Sequence, residues 1–369
     1  MNEENKNNII NKRNKNNNKI KKKTFVIRTD YADRRIVEKL FNRKYWRYVP
    51  NKQIDKVDYI DFVYVDGKAQ WDKRFWEKEI GVFSALDNSK YSVADKSELY
   101  NNFVETSPKM GKKYMMKQYD IDLMNNNNKK ELFNTDKYKK LFNNNNNDKD
   151  NLWIVKPVYG FKGSGIAVVN NYKDLVEHLT KDREKTILQR YQDSEKWVIS
   201  KYIRNPLLIN GKKFHIRMIL MYFVNNDKGS SRGFLFKEGV IFSAKKKYSN
   251  SNYEDKEIHD SHRVKGEEIT FPNEFEEIFG KEKTDGVVKD IVKIANIIFK
   301  ILKNNGAKCF PLNKNCFHLF GMDIMIDENF NTKLIECNSK IGLSGYPNIE
   351  QYFRNIIDII VGDLYPETL

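Results

Sequence analysis

The sequence predicts an α+β fold, in which antiparallel strands are covered by packing helices. Residues 212–224 form a long apolar segment, and residues 317–343 contain two strand-like segments joined by a short polar turn. Residues 285–306 instead show apolar residues at helical spacing, with Gly306 just past the last of them. A period of two is typical of strands and a period near 3.6 of helices, so we expect both kinds of element to share one core.

The length and the charge of the chain limit what it can be. A chain of 369 residues can form two or three packed domains. The formal net charge of +16 suits an anionic partner, which could be a nucleic acid, an acidic membrane face or an acidic polypeptide. No apolar signal segment or membrane-spanning run is visible, so we expect a soluble cytoplasmic protein. Cys309, Cys316 and Cys337 have no metal-binding or redox spacing, which predicts free thiols.

Five segments are expected along the chain. Residues 1–23 are rich in Lys and Asn without an apolar period, which predicts a disordered basic tail. Two asparagine runs mark residues 124–150 as a loop insertion. The other segments are an N-terminal, a central and a C-terminal subdomain, expected at 24–123, 151–192 and 193–369.

Apolar periodicity predicts the individual elements. The expected strands lie at 24–29, 58–67, 186–192, 196–203 and 212–224, and residues 152–169 are expected to form two strands around a Gly-rich turn. Residues 233–244 are expected to form a hairpin that turns at 237–239. The expected helices lie at 32–43, 96–104, 172–182, 285–306 and 349–361.

The segment FHLFGMDIMIDENFNTKLIECNSKIGL, residues 317–343, carries a candidate metal site. Side chains alternate along a strand, so Glu336 and Asn338 share a face. A turn centred on residues 329–330 would place Asp323 directly across from Glu336. Facing carboxylates repel unless a cation lies between them, and two acids with an amide oxygen suit Mg²⁺. The alternative is an acidic hairpin edge in solvent.

The segment KPVYGFKGSG, residues 156–165, is a candidate phosphate-binding loop. Its glycines, Gly163 and Gly165 among them, allow backbone N–H groups to line an anion, and Lys156 and Lys162 add positive charge. The spacing is neither a P-loop nor a dinucleotide fingerprint, because no helix opens after the glycines. An ordinary glycine hairpin is the alternative.

A third candidate lies on the long strand. Lys213, His215 and Arg217 alternate there, so all three project from one face, which could hold a nucleotide phosphate or an acyl phosphate. The intervening residues should face a core; they are Phe214, Ile216 and Met218. A solvated edge strand is the alternative.

These segments together resemble the tubulin tyrosine ligase-like family of the ATP-grasp superfamily. The resemblance covers residues 150–346 well and residues 84–115 more weakly. The matching segments are WIVKPVYGFKGSGI (153–166), LQRY (188–191), RNPLLINGKKFHIR (204–217), FKEGV (236–240), FGMDIMID (320–327) and LIECNSKIGL (334–343). The resemblance implies an ATP-grasp fold, in which antiparallel sheets and helices sandwich a nucleotide cleft behind a small α/β N-terminal subdomain.

The resemblance also implies a role for each matching residue. Lys96 and Lys156 would contact the phosphates of ATP, and Lys213 would contact the nucleotide. Lys213 and Arg217 would stabilise the acyl phosphate. Adenine would be held by Gln189, Arg190 and Tyr191, and Mg²⁺ by Asp323, Glu336 and Asn338.

Two positions depart from the family pattern. His215 stands where the family has an Asp that binds the ribose, and a neutral His can accept a ribose hydroxyl in one tautomer. Phe242 stands where the family has an Arg that engages the acidic acceptor or the incoming amino acid. The segment His259–His262 is a degraded match as well. These departures leave open an altered substrate or a lost activity.

The expected function is an ATP- and Mg²⁺-dependent ligase that joins glutamate, tyrosine or glycine to a protein carboxylate through an acyl phosphate. The expected acceptor is an acidic tail of tubulin or of another protein, and the expected protein is a cytoplasmic monomer associated with microtubules. The alternative is an inactive module that binds tubulin or microtubules. Nucleic-acid binding ranks low because no such motif occurs. The sequence leaves the transferred amino acid open.

Overall fold

The computed structural model describes residues 21–29, 34–66, 72–123, 136–142, 151–158, 165–180, 196–261, 269–309, 315–341, 346 and 348–368. Most of the expected basic tail and of the expected 124–150 insertion lies outside these residues. The chain has a mixed α/β structure and divides into two compact units. One unit comprises Met1–Ser84 with Asn348–Leu369, and the other comprises Ala85–Pro347.

The first unit is a parallel sheet with helices. Its strands are β1 (Lys23–Arg28), β2 (Trp46–Tyr48), β3 (Tyr59–Val65) and β4 (Glu79–Phe83), in the spatial order β4-β3-β1-β2. Its helices are α1 (Arg34–Leu40), the C-terminal α10 (Ile349–Leu364) and the short 3-10 turns Asn51–Lys56, Lys73–Phe75 and Pro366–Thr368. The hydroxyl of Tyr365 donates to the carbonyl of Asp61 at 3.0 Å, so the C-terminal segment belongs with this sheet.

The main sheet of the second unit is antiparallel. The strands and helices of this layer are β9 (Leu208–Ile209), β10 (Lys212–Asn225), β11 (Ser230–Ser243), β12 (Ile269–Phe271), β13 (Asn315–Ile326), β14 (Thr332–Asn338), α7 (Lys256–His259), α8 (Asn273–Phe279) and α9 (Lys281–Asn304). The strand order is β12-β11-β10-β13-β14, with the short β9 beside β10. Because apolar residues alternate along β10, one of its faces packs in a core with the long helix α9, and Phe214, Ile216 and Met218 lie there as predicted.

A second antiparallel sheet in the same unit has its own core around Trp153 and Trp197. Its strands are β5 (Gln118–Asp122), β6 (Trp153–Pro157), β7 (Ala167–Val169) and β8 (Lys196–Lys201), in the order β5-β8-β6-β7, and the helices of this part are α5 (Asp136–Phe142) and α6 (Tyr172–Thr180). The helices α2 (Tyr91–Ala94), α3 (Lys96–Thr106) and α4 (Pro108–Tyr114) precede it, after the 3-10 turn Asn88–Lys90. Among the described helices, none is long and apolar enough to cross a membrane.

The expected hairpin at 237–239 was wrong. Residues 230–243 form one continuous strand, β11, and its pairing with β10 shifts register between Met218 and Leu220. A Cβ added to Gly239 would lie 2.4 Å from the sulfur of Met218 and 2.8 Å from the carbonyl oxygen of Arg217. The glycine therefore permits a close approach of two strands across a bulge, where the sequence indicated a turn.

The expectation of free thiols was also wrong for two of the cysteines. Cys309 and Cys316 form a disulfide with a Cα–Cα distance of 5.3 Å. Their sequence separation of 7 residues does not by itself indicate this pairing. Cys337 is free and buried.

Candidate functional site

The candidate site is built on a row of charged residues across three strands of the main sheet. Arg217 on β10 pairs with Asp323 on β13, and Asp323 pairs with Glu336 on β14. The predicted pairing of Asp323 with Glu336 is confirmed. A register shift follows directly, because Ile324 pairs with Leu334, so Ile335 is an extra residue in β14.

The ion pair of Arg217 and Asp323 is the centre of the row. Nε of Arg217 donates to Oδ1 of Asp323 at 2.6 Å, and a second guanidinium nitrogen donates to Oδ2 at 2.5 Å. The side chain of Asp323 is 3% exposed and that of Arg217 is 12% exposed. Burial disfavours the charged guanidinium, yet the Asp323 carboxylate outweighs burial and raises the pKa of Arg217 above its usual value. This geometry excludes the alternative of an acidic edge in solvent.

Asn338 joins the two acids on the same face. Its side-chain nitrogen donates to Oε1 of Glu336 at 2.9 Å and to Oδ2 of Asp323 at 3.3 Å. Rotating the Asn338 amide by half a turn would exchange its nitrogen and oxygen, so that the oxygen lies beside the two carboxylates. The two orientations are assigned from the hydrogen-bond network alone. Two carboxylates and one carbonyl oxygen would then converge, which is a donor set that fits a hard divalent cation. Within the described residues, no cluster of three or more His, Cys, Asp or Glu could hold a metal ion, so the amide is needed.

Two lysines approach Glu336 from the other elements of this unit. Nζ of Lys96, at the start of α3, lies 3.9 Å from Oε2 of Glu336 and donates to the carbonyl of Val158 at 3.2 Å. The start of α3 is held by Asp95, whose side chain accepts from two backbone N–H groups of the first turn. Burial lowers the pKa of Lys156 on β6, and Lys96 lowers it further, whereas Glu336 and Asp323 act in the opposite direction.

Lys213 lies on the same face of β10 as Arg217 and is buried. Its Nζ donates to the hydroxyl of Tyr202 at 3.1 Å, and that hydroxyl lies 3.0 Å from Nδ1 of His259. Burial lowers the pKa of Lys213 to about 7, and the charge of Lys156 acts in the same direction. An anion placed beside Lys156 and Lys213 would offset the cost of burying two cations.

His215 lies close to the carboxylate of Asp323 and to the ring of Phe242. Its Nδ1 lies 2.6 Å from Oγ of Ser261, and its Nε2 lies 4.0 Å from Oδ1 of Asp323. His215 is the cross-strand partner of Phe242, and their ring centroids are 5.3 Å apart. The guanidinium of Arg217 also lies over the ring of Phe242, at 5.6 Å. The two departures from the family pattern are therefore direct neighbours.

A comparison with known protein families shows to which family the chain belongs. The family model described as "Tubulin-tyrosine ligase family" matches residues 90–344, which is more than half of the chain. The chain belongs to the tubulin-tyrosine ligase family. The matched region includes the strands β10, β13 and β14 that carry the charged row.

Curated relatives in this family are similar to the chain at low identity. A probable tubulin polyglutamylase of Caenorhabditis elegans is 26% identical over 230 residues, covering 57% of this chain and 52% of the relative. Tubulin glycylase 3D of Tetrahymena thermophila is 31% identical over 211 residues, covering 53% and 19%. The probable tubulin–tyrosine ligase PBY1 of Saccharomyces cerevisiae is 26% identical over 261 residues, covering 59% and 33%. The chain thus spans about half or less of the length of each of these relatives.

Several predicted site residues of this family member lie outside the described residues; they are Lys162, Gly163, Gln189, Arg190 and Tyr191. Gly165 is described, with a positive φ of 73°, and its carbonyl lies 3.0 Å from Nε2 of His178. The roles given to all these residues stay predictions.

Sequence reasoning missed other residues that shape the site. A Cβ added to Gly321 would lie 2.4 Å from a side-chain carbon of Ile341 and at ordinary contact distance, 3.4 Å, from Cδ of Arg217, so this glycine leaves room for Ile341 beside Arg217. Its position two residues before Asp323 on a strand was a signal that it shares the same face. Ser261 lies in the segment His259–His262, whose degraded match to the family pattern was a weak signal. Tyr202 carried no such signal, because it contacts Lys213 and His259 from a position distant from both in sequence.

Proposed function

We propose that the protein is an ATP-dependent ligase that joins a free amino acid to a carboxylate of an acidic protein tail. The observation that carries the proposal is the row Arg217–Asp323–Glu336 with lysines beside it. Relatives named as tubulin polyglutamylase, tubulin glycylase and probable tubulin–tyrosine ligase support tubulin as the acceptor. The transferred amino acid would be glutamate, glycine or tyrosine.

In the first step, an acceptor carboxylate oxygen attacks the γ-phosphorus of ATP. The new O–P bond forms as the bond to the bridging oxygen breaks, which releases ADP and leaves an acyl phosphate. Lys96, Lys156 and Lys213 would hold the polyphosphate, because buried cations are stabilised by a nearby anion. Gln189, Arg190 and Tyr191 would hold the adenine, and His215 would approach the ribose.

In the second step, the amine of the free amino acid attacks the acyl carbon. A tetrahedral oxyanion forms and collapses as the C–O bond to the phosphate group breaks, so phosphate leaves, and a proton of the attacking amine passes to solvent to give the amide. Arg217 would stabilise the oxyanion, since its guanidinium is already oriented by two hydrogen bonds to Asp323. Lys213 would supply a second positive charge that stabilises the oxyanion.

Asp323, Glu336 and Asn338 would hold Mg²⁺, with the amide of Asn338 rotated so that its oxygen, in place of its nitrogen, lies beside the two carboxylates. When bound, Mg²⁺ offsets the negative charge of the phosphates. The lysines and Arg217 supply the remaining positive charge around the reacting groups. The ion pair with Arg217 fixes the orientation of the Asp323 carboxylate, which is one of the side chains that would bind the metal ion.

The same proposal includes an interpretation of the fold, the oligomeric state and the cellular location of the protein. The two antiparallel sheets of the second unit would be the halves of an ATP-grasp nucleotide cleft. The parallel sheet of the first unit would be the N-terminal subdomain of that fold. The protein would act as a monomer in the cytoplasm, in association with microtubules.

The proposal is tested by incubating the protein with ATP, Mg²⁺, tubulin and one labelled amino acid at a time. Mass spectrometry of the tubulin should locate the label on a glutamate side chain or at a carboxyl terminus. Asp323→Asn and Glu336→Gln should abolish incorporation. Glu328→Gln is the matched control, because Glu328 follows the same strand at the hairpin turn and accepts from Asn205. Full activity in either site variant would remove the basis of the proposal.

A binding protein without catalysis is the second candidate. It is favoured by the contact of His215 with Phe242, which replaces two polar positions of the family pattern by an aromatic pair. Such a protein would co-sediment with microtubules and incorporate no amino acid under any condition of the same assay.

A further inference from the structure

A basic concavity lies on the helical side of the main sheet. It is an open depression of about 730 Å³ between α4 and α9. Lys109, Lys112, Lys113 and Lys293 line it, together with Pro108, Met110 and Tyr114. Tyr114 packs into the core with Ile294 of α9, on the face of the sheet opposite to Arg217 and Asp323. The concavity is therefore separate from the charged row.

The positive charge of this surface is only partly offset. Asp290 accepts from the hydroxyl of Tyr114 at 2.7 Å, and it pairs with Lys113 at 3.1 Å and with Lys293 at 3.4 Å. Within the described residues, Lys109 and Lys112 form no ion pair, and both are exposed. Of the four lysines that line the concavity, two share one carboxylate that already has three donors.

The concavity is held in shape by contacts beneath it. Nζ of Lys333 donates to the carbonyl of Lys113 at 2.6 Å, which ties the end of α4 to β14. Met110 is half-buried and packs against the core, so the floor between the lysines is apolar.

We infer that this concavity binds an acidic peptide segment of a partner protein. Carboxylates of the peptide would pair with the lysines around the rim of the concavity. The methylene groups of the same peptide side chains would contact its apolar floor. The inference concerns binding alone and does not require the proposed ligase chemistry. An acidic tail on the proposed acceptor would be one such segment, held at a surface other than the one that modifies it.

The lining favours a peptide over the other polyanions. Single-stranded nucleic acids need aromatic faces on which bases stack. The ring of Tyr114 is fully buried, and Nζ of Lys113 lies 4.9 Å above it, so the concavity offers no stacking surface. A membrane needs exposed apolar side chains that insert into lipid, whereas the apolar part here is recessed between lysines.

The test is a binding measurement with the full chain and a fluorescent hexaglutamate peptide, followed by anisotropy without ATP. Lys109→Glu with Lys112→Glu should weaken binding about tenfold or more, since each change removes one attraction and adds one repulsion. Lys52→Glu with Lys56→Glu is the matched control, because both lysines are exposed and lie on the helical turn Asn51–Lys56, outside the concavity. Both double variants change the net charge equally.

The outcomes separate this inference from a general charge effect. Selective loss in the first variant supports a peptide site, and Lys109→Gln with Lys112→Gln should give a smaller loss in the same direction. An equal loss in both glutamate variants would overturn the inference. Preferential loss of binding to an oligonucleotide or to phosphatidylserine vesicles would assign the surface to another partner and overturn it as well. ATP turnover, measured in parallel, should be unchanged in both variants.

Discussion

Lys213 shows how burial sets the chemistry of a single residue. Its ammonium group lies inside the second unit beside the hydroxyl of Tyr202, with another lysine close enough to repel it. Burial lowers its pKa from 10.5 to about 7. Between about pH 7 and 10.5 the unfolded chain holds a proton here that the folded chain has lost, so this group makes folding more favourable as the pH rises through that window.

The same shift predicts proton uptake on nucleotide binding. At pH 8 Lys213 is mostly neutral, and phosphates nearby should raise its pKa, so ATP binding should take up as much as about one proton. Titration calorimetry in buffers of different ionisation enthalpy measures this number. Lys213→Met should reduce the uptake strongly, whereas Lys212→Met, at the neighbouring strand position, should leave it unchanged. Equal uptake in both variants would show that Lys213 does not face the phosphates.

Substitutions at Arg217 and Asp323 should affect the stability of the protein and its activity in different ways. Removing one partner of a buried ion pair leaves an uncompensated charge, so Arg217→Met should lower the free energy of unfolding by about 3 kcal/mol or more. Asp323→Leu added to Arg217→Met should recover much of this loss, because both charges are then absent. Denaturant unfolding measures the difference, and additive losses would contradict the prediction. Neither variant should incorporate an amino acid.

At the scale of elements, β11 differs most from expectation. Lys237 and Gly239 follow a pattern that is typical of a hairpin turn, but β11 runs through them, because β10 pairs with it on both sides of the register shift and β12 pairs with it from Gly239 onward. The hydrogen bonds of these neighbours outweigh the local turn preference of glycine. The expected strand at 212–224 and helix at 285–306 were confirmed. An apolar periodicity that extends over many residues indicates an element more strongly than a single glycine indicates a turn.

Gly239 and Gly286 provide a matched pair of substitutions. Gly239→Ala should lower the free energy of unfolding by about 2 kcal/mol, because the added carbon meets Met218 and the backbone of Arg217. Gly286→Ala on α9 meets nothing within 4 Å and should raise it by about 0.5–1 kcal/mol. Thermal and urea unfolding measure both changes. A stabilising Gly239→Ala would show that the strands do not approach closely there.

At the scale of the whole molecule, the net charge of +16 bears on partner binding more than on folding. Exposed charges are screened by salt, whereas the buried pair of Arg217 and Asp323 is screened much less. The basic concavity is one place where this charge is concentrated. The proposed acidic acceptor and the proposed nucleotide should therefore respond differently to ionic strength.

This difference is a further prediction. Raising NaCl from about 0.1 M to about 1 M shortens the Debye length from about 10 Å to about 3 Å. The KM for tubulin should rise at least about tenfold, and the KM for ATP should change far less. Steady-state incorporation assays at several salt concentrations measure both constants. A salt-independent KM for the acceptor would contradict electrostatic recognition.

The sequence by itself determined the α+β character, the polar and apolar faces of the long strand and the pairing of Asp323 with Glu336. These features depend on local periodicity and on the geometry of one hairpin, which neighbouring residues encode. The tertiary structure alone decided that Arg217 binds Asp323, that Tyr202 and Ser261 contact the site, that Cys309 bonds to Cys316 and that the C-terminal helix belongs with the first unit. Most of these contacts join segments far apart in the chain, so no local periodicity records them.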